Sequence, residues 1–90
     1  MTPGESLLKL IQEQLNVKIK NDDMGTTLKE LGADEIDIIE IATYLEEVLN
    51  MDISNEEADK IFGGEEGINT IFQIKNEIDA LVIRRVGASG

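Results

Sequence analysis

Between Asp34 and Asn50 the chain places Ile38, Ile41, Ala42, Leu45, Val48 and Leu49 three or four residues apart, the spacing of a buried helical face. Asp34 is a favourable N-cap, with Asp37 three positions on, so a helix is expected from Asp34 to about Asn50. Two further isoleucines do not belong to the stripe. At 100° per residue, Ile36 and Ile39 project to the opposite side together with Glu40, Thr43 and Glu47, flanked by Asp37 and Glu46. The helix is therefore two-sided, with one face for a core and the other showing apolar residues to solvent among acids.

The neighbouring segments carry the same period. Thr2, Pro3 and Glu5 form a T-x-x-E start signal with proline in the first helical position. They open a helix from Pro3 to Val17 that turns Leu7, Leu8, Ile11 and Leu15 inward. From Lys18 to Ala33 the pattern dissolves into Asn21, Asp22, Asp23, Gly25 and Gly32, a long loop pinned by Leu28 and Leu31. Ser54 and Glu57 repeat the capping pattern ahead of a short helix from Asn55 to Phe62, whose apolar side is Ala58, Ile61 and Phe62 and which Gly63 and Gly64 stop. A last helix is expected to start near Asn69 or Thr70 and to end at Arg85, with Ile71, Ile74, Ile78, Leu81 and Val82 on one face. Residues 86–90 have little to bury and are expected to fray. The fold expected is all-α, four helices with a long first loop and a short third helix, in a single domain over residues 1–85.

Composition narrows the chemistry. Ninety residues suffice for one core, and with only one Tyr and two Phe that core is built from Ile, Leu and Val, which suits packed helices. Cysteine and histidine are both absent, which removes disulfides, thiolate metal sites and the commonest general base. No apolar run approaches the roughly 18 residues of a membrane span, and the first residues lack the basic and apolar regions of a signal peptide. A cytoplasmic protein is the expectation. Nineteen acidic residues against eight basic ones give a formal net charge of -11. Such a charge repels nucleic acid and anionic membranes and favours basic partners. From Glu30 to Glu66 every charged residue except Lys60 is acidic. Asp22, Asp23, Asp34, Glu35 and Asp37 lack the alternating acids and central glycine of a calcium loop, so no dedicated metal site is expected.

The run Leu31-Gly32-Ala33-Asp34-Glu35-Ile36-Asp37-Ile38-Ile39-Glu40 resembles the signature around the attachment site of acyl carrier proteins, Leu-Gly-Ala-Asp-Ser-Leu-Asp followed after a few residues by Glu. Leu45-Glu46-Glu47 and the stretch from Ile53 to Ile61 are also similar to that family. The resemblance implies a four-helix carrier fold in which the serine opening the second helix receives 4'-phosphopantetheine. Here Glu35 stands at that place. A carboxylate has no hydroxyl to attack the phosphate of coenzyme A, so no cofactor is expected unless residue 35 were serine. Ser6, Ser54 and Ser89 lie outside the motif. The segment from Gly63 to Gly67 is longer and richer in glycine than the family pattern, which leaves the placement of the third helix open.

Three accounts of Glu35 stand side by side. An acid in the first helical turn is favoured by the macrodipole, by about 0.3 to 1 kcal/mol when exposed, so a protein with no need of the arm can drift to Glu. A glutamate also keeps a negative charge near where the arm's phosphodiester would sit. The third account is a genuine carrier with an engineered Ser-to-Glu change at 35. By resemblance, partner enzymes of fatty-acid or polyketide-type synthesis, themselves bearing basic patches, would recognise a monomeric protein through Asp34, Ile36, Asp37, Ile39, Glu40, Thr43, Glu46 and Glu47. That is a docking role and not catalysis. An apolar centre with an acidic rim is the layout of a weak docking surface. An acidic mimic of nucleic acid is the alternative of another class, but it needs neither the Leu31 to Asp37 run nor two exposed isoleucines.

Overall fold

Each helix begins where a side-chain oxygen meets amides that have no partner within the helix. The computed structural model describes residues 2–89, with side chains described through residue 87. Thr2 accepts a bond from the Glu5 amide at 3.2 Å and opens α1 (Pro3–Leu15). Asp34 and Asp37 exchange bonds of 2.9 and 3.1 Å ahead of α2 (Glu35–Leu49). Ser54 and Glu57 do the same, at 3.1 and 2.9 Å, ahead of α3 (Asn55–Phe62). For α4 (Ile71–Ser89) the pair is Thr70 and Gln73: the Gln73 amide donates to the Thr70 hydroxyl at 3.2 Å and the Thr70 amide to the Gln73 side chain at 2.8 Å. That fourth reciprocal cap is a T-x-x-Q pattern the sequence reading passed over.

The architecture is the expected one, four helices with a long first loop and a short third helix. Among the described residues the sole strand-like feature is an isolated antiparallel bridge between Thr27 and Thr70. The bridge belongs to a seam that stitches the first loop to the start of α4. Ile71 and Phe72 donate their amides to the carbonyls of Thr26 and Met24, each at 2.9 Å, so two amides that α4 cannot satisfy itself are paired by the loop. Leu28, fully buried, anchors the same loop in the core.

That core is one cluster drawn from every helix. Leu7 and Ile11 of α1, Ile38, Ile41 and Leu45 of α2, Ile61 and Phe62 of α3, and Ile71, Ile74, Ile78 and Leu81 of α4 meet around Leu28. Gln14, near the end of α1, bonds Asp37 and Glu40 near the start of α2, so these two helices run antiparallel. α1 packs against both α2 and α4, whereas α3 packs against α4. α1 approaches α4 closely at Gly4, whose amide donates to the Asp79 carboxylate at 2.8 Å. A β-carbon there would lie 2.5 Å from Lys75 Cγ.

Two helix ends and the burial of one residue differ from expectation. α1 stops at Leu15, two residues before Val17, because Asn16 takes the left-handed conformation at φ 53° and turns the chain. Val48, assigned to the inward stripe, is 54% exposed. It lies about 80° round the helix from Ile38 at 3.6 residues per turn, at the stripe's edge and in the last turn of α2. α4 does not end at Arg85 but stays helical to Ser89, while Gly90 lies outside the described residues. No proline interrupts it, and Gly87 costs a helix only about 1 kcal/mol.

Candidate docking face and cleft

The two sides of α2 separate as its pattern requires. Ile38, Ile41 and Leu45 are buried, while Ile36 and Ile39 are 64% and 54% exposed. Glu35, Glu40, Thr43 and Glu47 are exposed on the same outer side. Thr43 turns its hydroxyl back to the Ile39 carbonyl at 2.9 Å.

The other three residues expected on this surface have work within the chain. Asp34 and Asp37 form the cap, and Gln14 of α1 donates to Asp37 at 3.2 Å and to Glu40 at 2.6 Å. The bond from the Asp34 amide, followed by the one from Gln14, holds the Asp37 carboxyl below its ordinary value of 3.8. Glu46, half-buried, accepts the Ile53 amide at 2.9 Å and ties the end of α2 to the loop before α3. Ile36, Ile39, Thr43 and Glu47 are left exposed, with the Thr43 hydroxyl turned back to its own helix. Glu40 is shared with α1.

Beside this face lies a cleft of 470 Å³ between α2 and α3, which the sequence reading did not foresee. Its floor is apolar, with Ile38 and Ala42 from α2, Ile53 from the connecting loop, and Ala58 and Phe62 from α3. Glu35, Glu46, Asp59 and Glu65 stand among the residues that line it.

The cleft exists because α3 is held from its far side. Arg85 of α4 grips both carboxylate oxygens of Glu57, at 2.6 and 2.8 Å, and donates to the Asp52 carbonyl at 2.9 Å. The Ser54 amide first, and then Arg85, keep the Glu57 carboxyl below its ordinary value of 4.5. At the other end of α3, Asn69 donates to the carbonyls of Lys60 and Ile61 at 2.9 and 3.0 Å. Gly63 ends the helix at φ 79°, where a β-carbon would fall 2.7 Å from the Asn69 amide. Gly67 closes the segment over the core, so tightly that a β-carbon would sit 2.8 Å from Ile38 Cδ1. The glycine-rich stretch is a fitted connection that places α3.

The first turn of α2 offers Glu35, Ile36 and Asp37, none with a hydroxyl or thiol. The Thr43 hydroxyl lies two turns further on and is bonded to the backbone.

Comparison with known proteins identifies the family. A family model described as the phosphopantetheine attachment site matches residues 5–61. The chain belongs to this family of carrier domains. It is similar to an acyl carrier protein of Wolinella succinogenes, with 36% identity over 58 residues, a span covering 63% of this chain and 76% of that protein. No solved structure matches.

Proposed function

We propose that the chain is an acyl-carrier-like protein that docks partner enzymes of fatty-acid or polyketide-type synthesis through the outer face of α2, and that it does not carry 4'-phosphopantetheine. The observation that carries the docking role is the exposure of Ile36 and Ile39, at 64% and 54%, beside Glu40, Thr43 and Glu47. Burying two isoleucines rewards contact, and the carboxylates around them select a partner with a basic patch. Against an acidic nucleic-acid mimic, this face has an apolar centre that a row of phosphates lacks.

The second half of the proposal rests on Glu35. We place it at the family's attachment serine, since it follows Leu31-Gly32-Ala33-Asp34 and begins α2. The family's prosthetic arm is joined through a hydroxyl oxygen. Glu35 has none, and no residue of the first turn of α2 supplies one, so the residues present do not fit the arm. A carboxylate there keeps one negative charge at the helix start, which the macrodipole favours and a partner's basic patch can read. The protein acts as a monomer in the cytoplasm, without catalysis of its own.

The test is a single substitution. The protein and its Glu35→Ser variant are incubated with coenzyme A and a phosphopantetheinyl transferase and weighed intact. The expected result is a mass gain equal to the arm in the variant alone. A gain by the unaltered protein would refute the loss of attachment at 35, and no gain by the variant would remove Glu35 from the serine's position.

A further inference from the structure

Gln14, half-buried in the last turn of α1, directs a single side-chain nitrogen at two carboxylates of α2. That nitrogen lies 2.6 Å from Glu40 Oε2 and 3.2 Å from Asp37 Oδ1. An ionised carboxylate only accepts, and a primary amide carries two N–H donors on its nitrogen, so there is one donor for each acid. The two acids stand three positions apart on one helix, where like charges repel. Among the described residues the ion pairs join Lys29 to Glu66 and Arg85 to Glu57, so the group that holds Asp37 and Glu40 is a neutral one. The amide fixes both carboxylates and cancels the charge of neither.

Gln14 is itself well held. Leu15 beside it packs against the core, and the Asn16 amide closes α1 on the Gln12 carbonyl. The Gln12 side chain accepts the Ile19 amide at 2.9 Å, which pins the chain as it leaves the helix. The end of α1 is a firm point from which to reach α2.

We infer that Gln14 is a positioning residue for the docking face, one that sets the Glu40 carboxylate in place for a partner's cation while leaving its charge intact. The inference rests on the docking role proposed above and adds α1 to the parts that serve it. Glu40 lies between Ile36 and Thr43 along the outer side of α2, exposed and with a long side chain. Without Gln14 a partner would have to order that side chain on contact, which costs about two- to twelvefold in affinity. A lysine or arginine at 14 would hold the same carboxylate but oppose its charge, and a basic patch would then meet a weaker field.

The full chain, its Gln14→Ala, Gln14→Lys and Glu40→Ala variants, and the double variant Gln14→Ala with Glu40→Ala are mixed in stopped flow with a phosphopantetheinyl transferase. Coenzyme A is omitted, so that docking alone is read. Alanine keeps the net charge and suits the helix, so Gln14→Ala should leave the association rate as it is and raise the dissociation rate by about two- to twelvefold. Gln14→Lys should instead slow association. In the Glu40→Ala background the change at 14 should add nothing, whereas a role confined to packing α1 on α2 would persist there. Carboxyl titration by NMR needs no partner: Asp37, held below its ordinary value of 3.8 in part by Gln14, should move up towards it in Gln14→Ala. The inference is overturned, and the docking role left standing, by any of four results obtained while Glu40→Ala weakens binding: an equal rise in dissociation with and without Glu40, no rise at all, undiminished association of Gln14→Lys, or an unmoved Asp37 carboxyl. Absent binding, or binding indifferent to Glu40→Ala, would remove the docking role and this inference with it.

Discussion

Replacing Leu45 by alanine tests the orientation of α2 more directly than any other change. Leu45 is fully buried in the middle of the helix, within the cluster that also holds Ile41 and Ile38. Truncation removes its transfer free energy and leaves a cavity that close-packed neighbours fill only in part, a loss of about 2 to 5 kcal/mol. For a chain of this length total stability is on the order of 4 to 13 kcal/mol, so one residue holds a large fraction of it. Taking about 3 kcal/mol, and roughly 4 to 8 °C per kcal/mol for a domain of this size, the melting temperature falls by about 12 to 24 °C. Two companions on the same helix give the contrast. Ile39→Ala and Val48→Ala each remove a side chain that is 54% exposed, and each should shift stability by no more than about 0.5 kcal/mol. Urea unfolding followed by far-ultraviolet circular dichroism measures all three. If Leu45→Ala melted with the unaltered protein while Ile39→Ala lost several kcal/mol, the inward and outward faces would have been exchanged.

Reversing charge at Glu40 and Glu47 to lysine should slow association with a carrier-recognising enzyme by about tenfold or more at low salt, with circular dichroism unchanged; equal rates in stopped-flow mixing would remove these residues from the interface. Gly63→Ala should cost about 1 to 2 kcal/mol for its left-handed backbone alone, with a further loss as the new methyl group displaces Asn69. Gly25→Ala, whose β-carbon meets nothing within 4 Å, serves as the control and should be neutral or slightly stabilising. The Glu57 carboxyl sits below its ordinary value of 4.5 in the fold, so its contribution is present above that pH and is lost as pH falls through the folded value. The difference in unfolding free energy between the unaltered protein and Glu57→Gln should therefore hold steady near neutral pH and shrink below 4.5. A difference that grew on acidification would contradict the bond to Arg85.

What could be read from the sequence was what is local. The caps at Thr2, Asp34 and Ser54 join residues three apart, and the stripe through Ile38, Ile41 and Leu45 repeats within one helix, so both are visible without knowing the partners. The outward placement of Ile36 and Ile39 follows from the same period. Val48 escaped because angle alone does not tell how far neighbouring helices extend over a terminal turn. Asn16 and Asn50, each left-handed, end their helices by a conformation that asparagine permits but does not demand. The cleft could not be read at all. It depends on where α3 rests, and that is decided by Arg85, 28 residues from Glu57, and by Asn69 reaching back to Lys60 and Ile61.

The seam between the first loop and α4 bears on how much chain the family's signature needs in order to exist as an object. The stretch matched to the family ends at Ile61, yet Ile71, Ile74, Ile78 and Leu81 lie beyond it and complete the interior. The carbonyls of Met24 and Thr26 also wait on amides from Ile71 and Phe72. A polypeptide cut after Ile61 would keep the whole stretch matched to the family and lose the wall that stretch is built against.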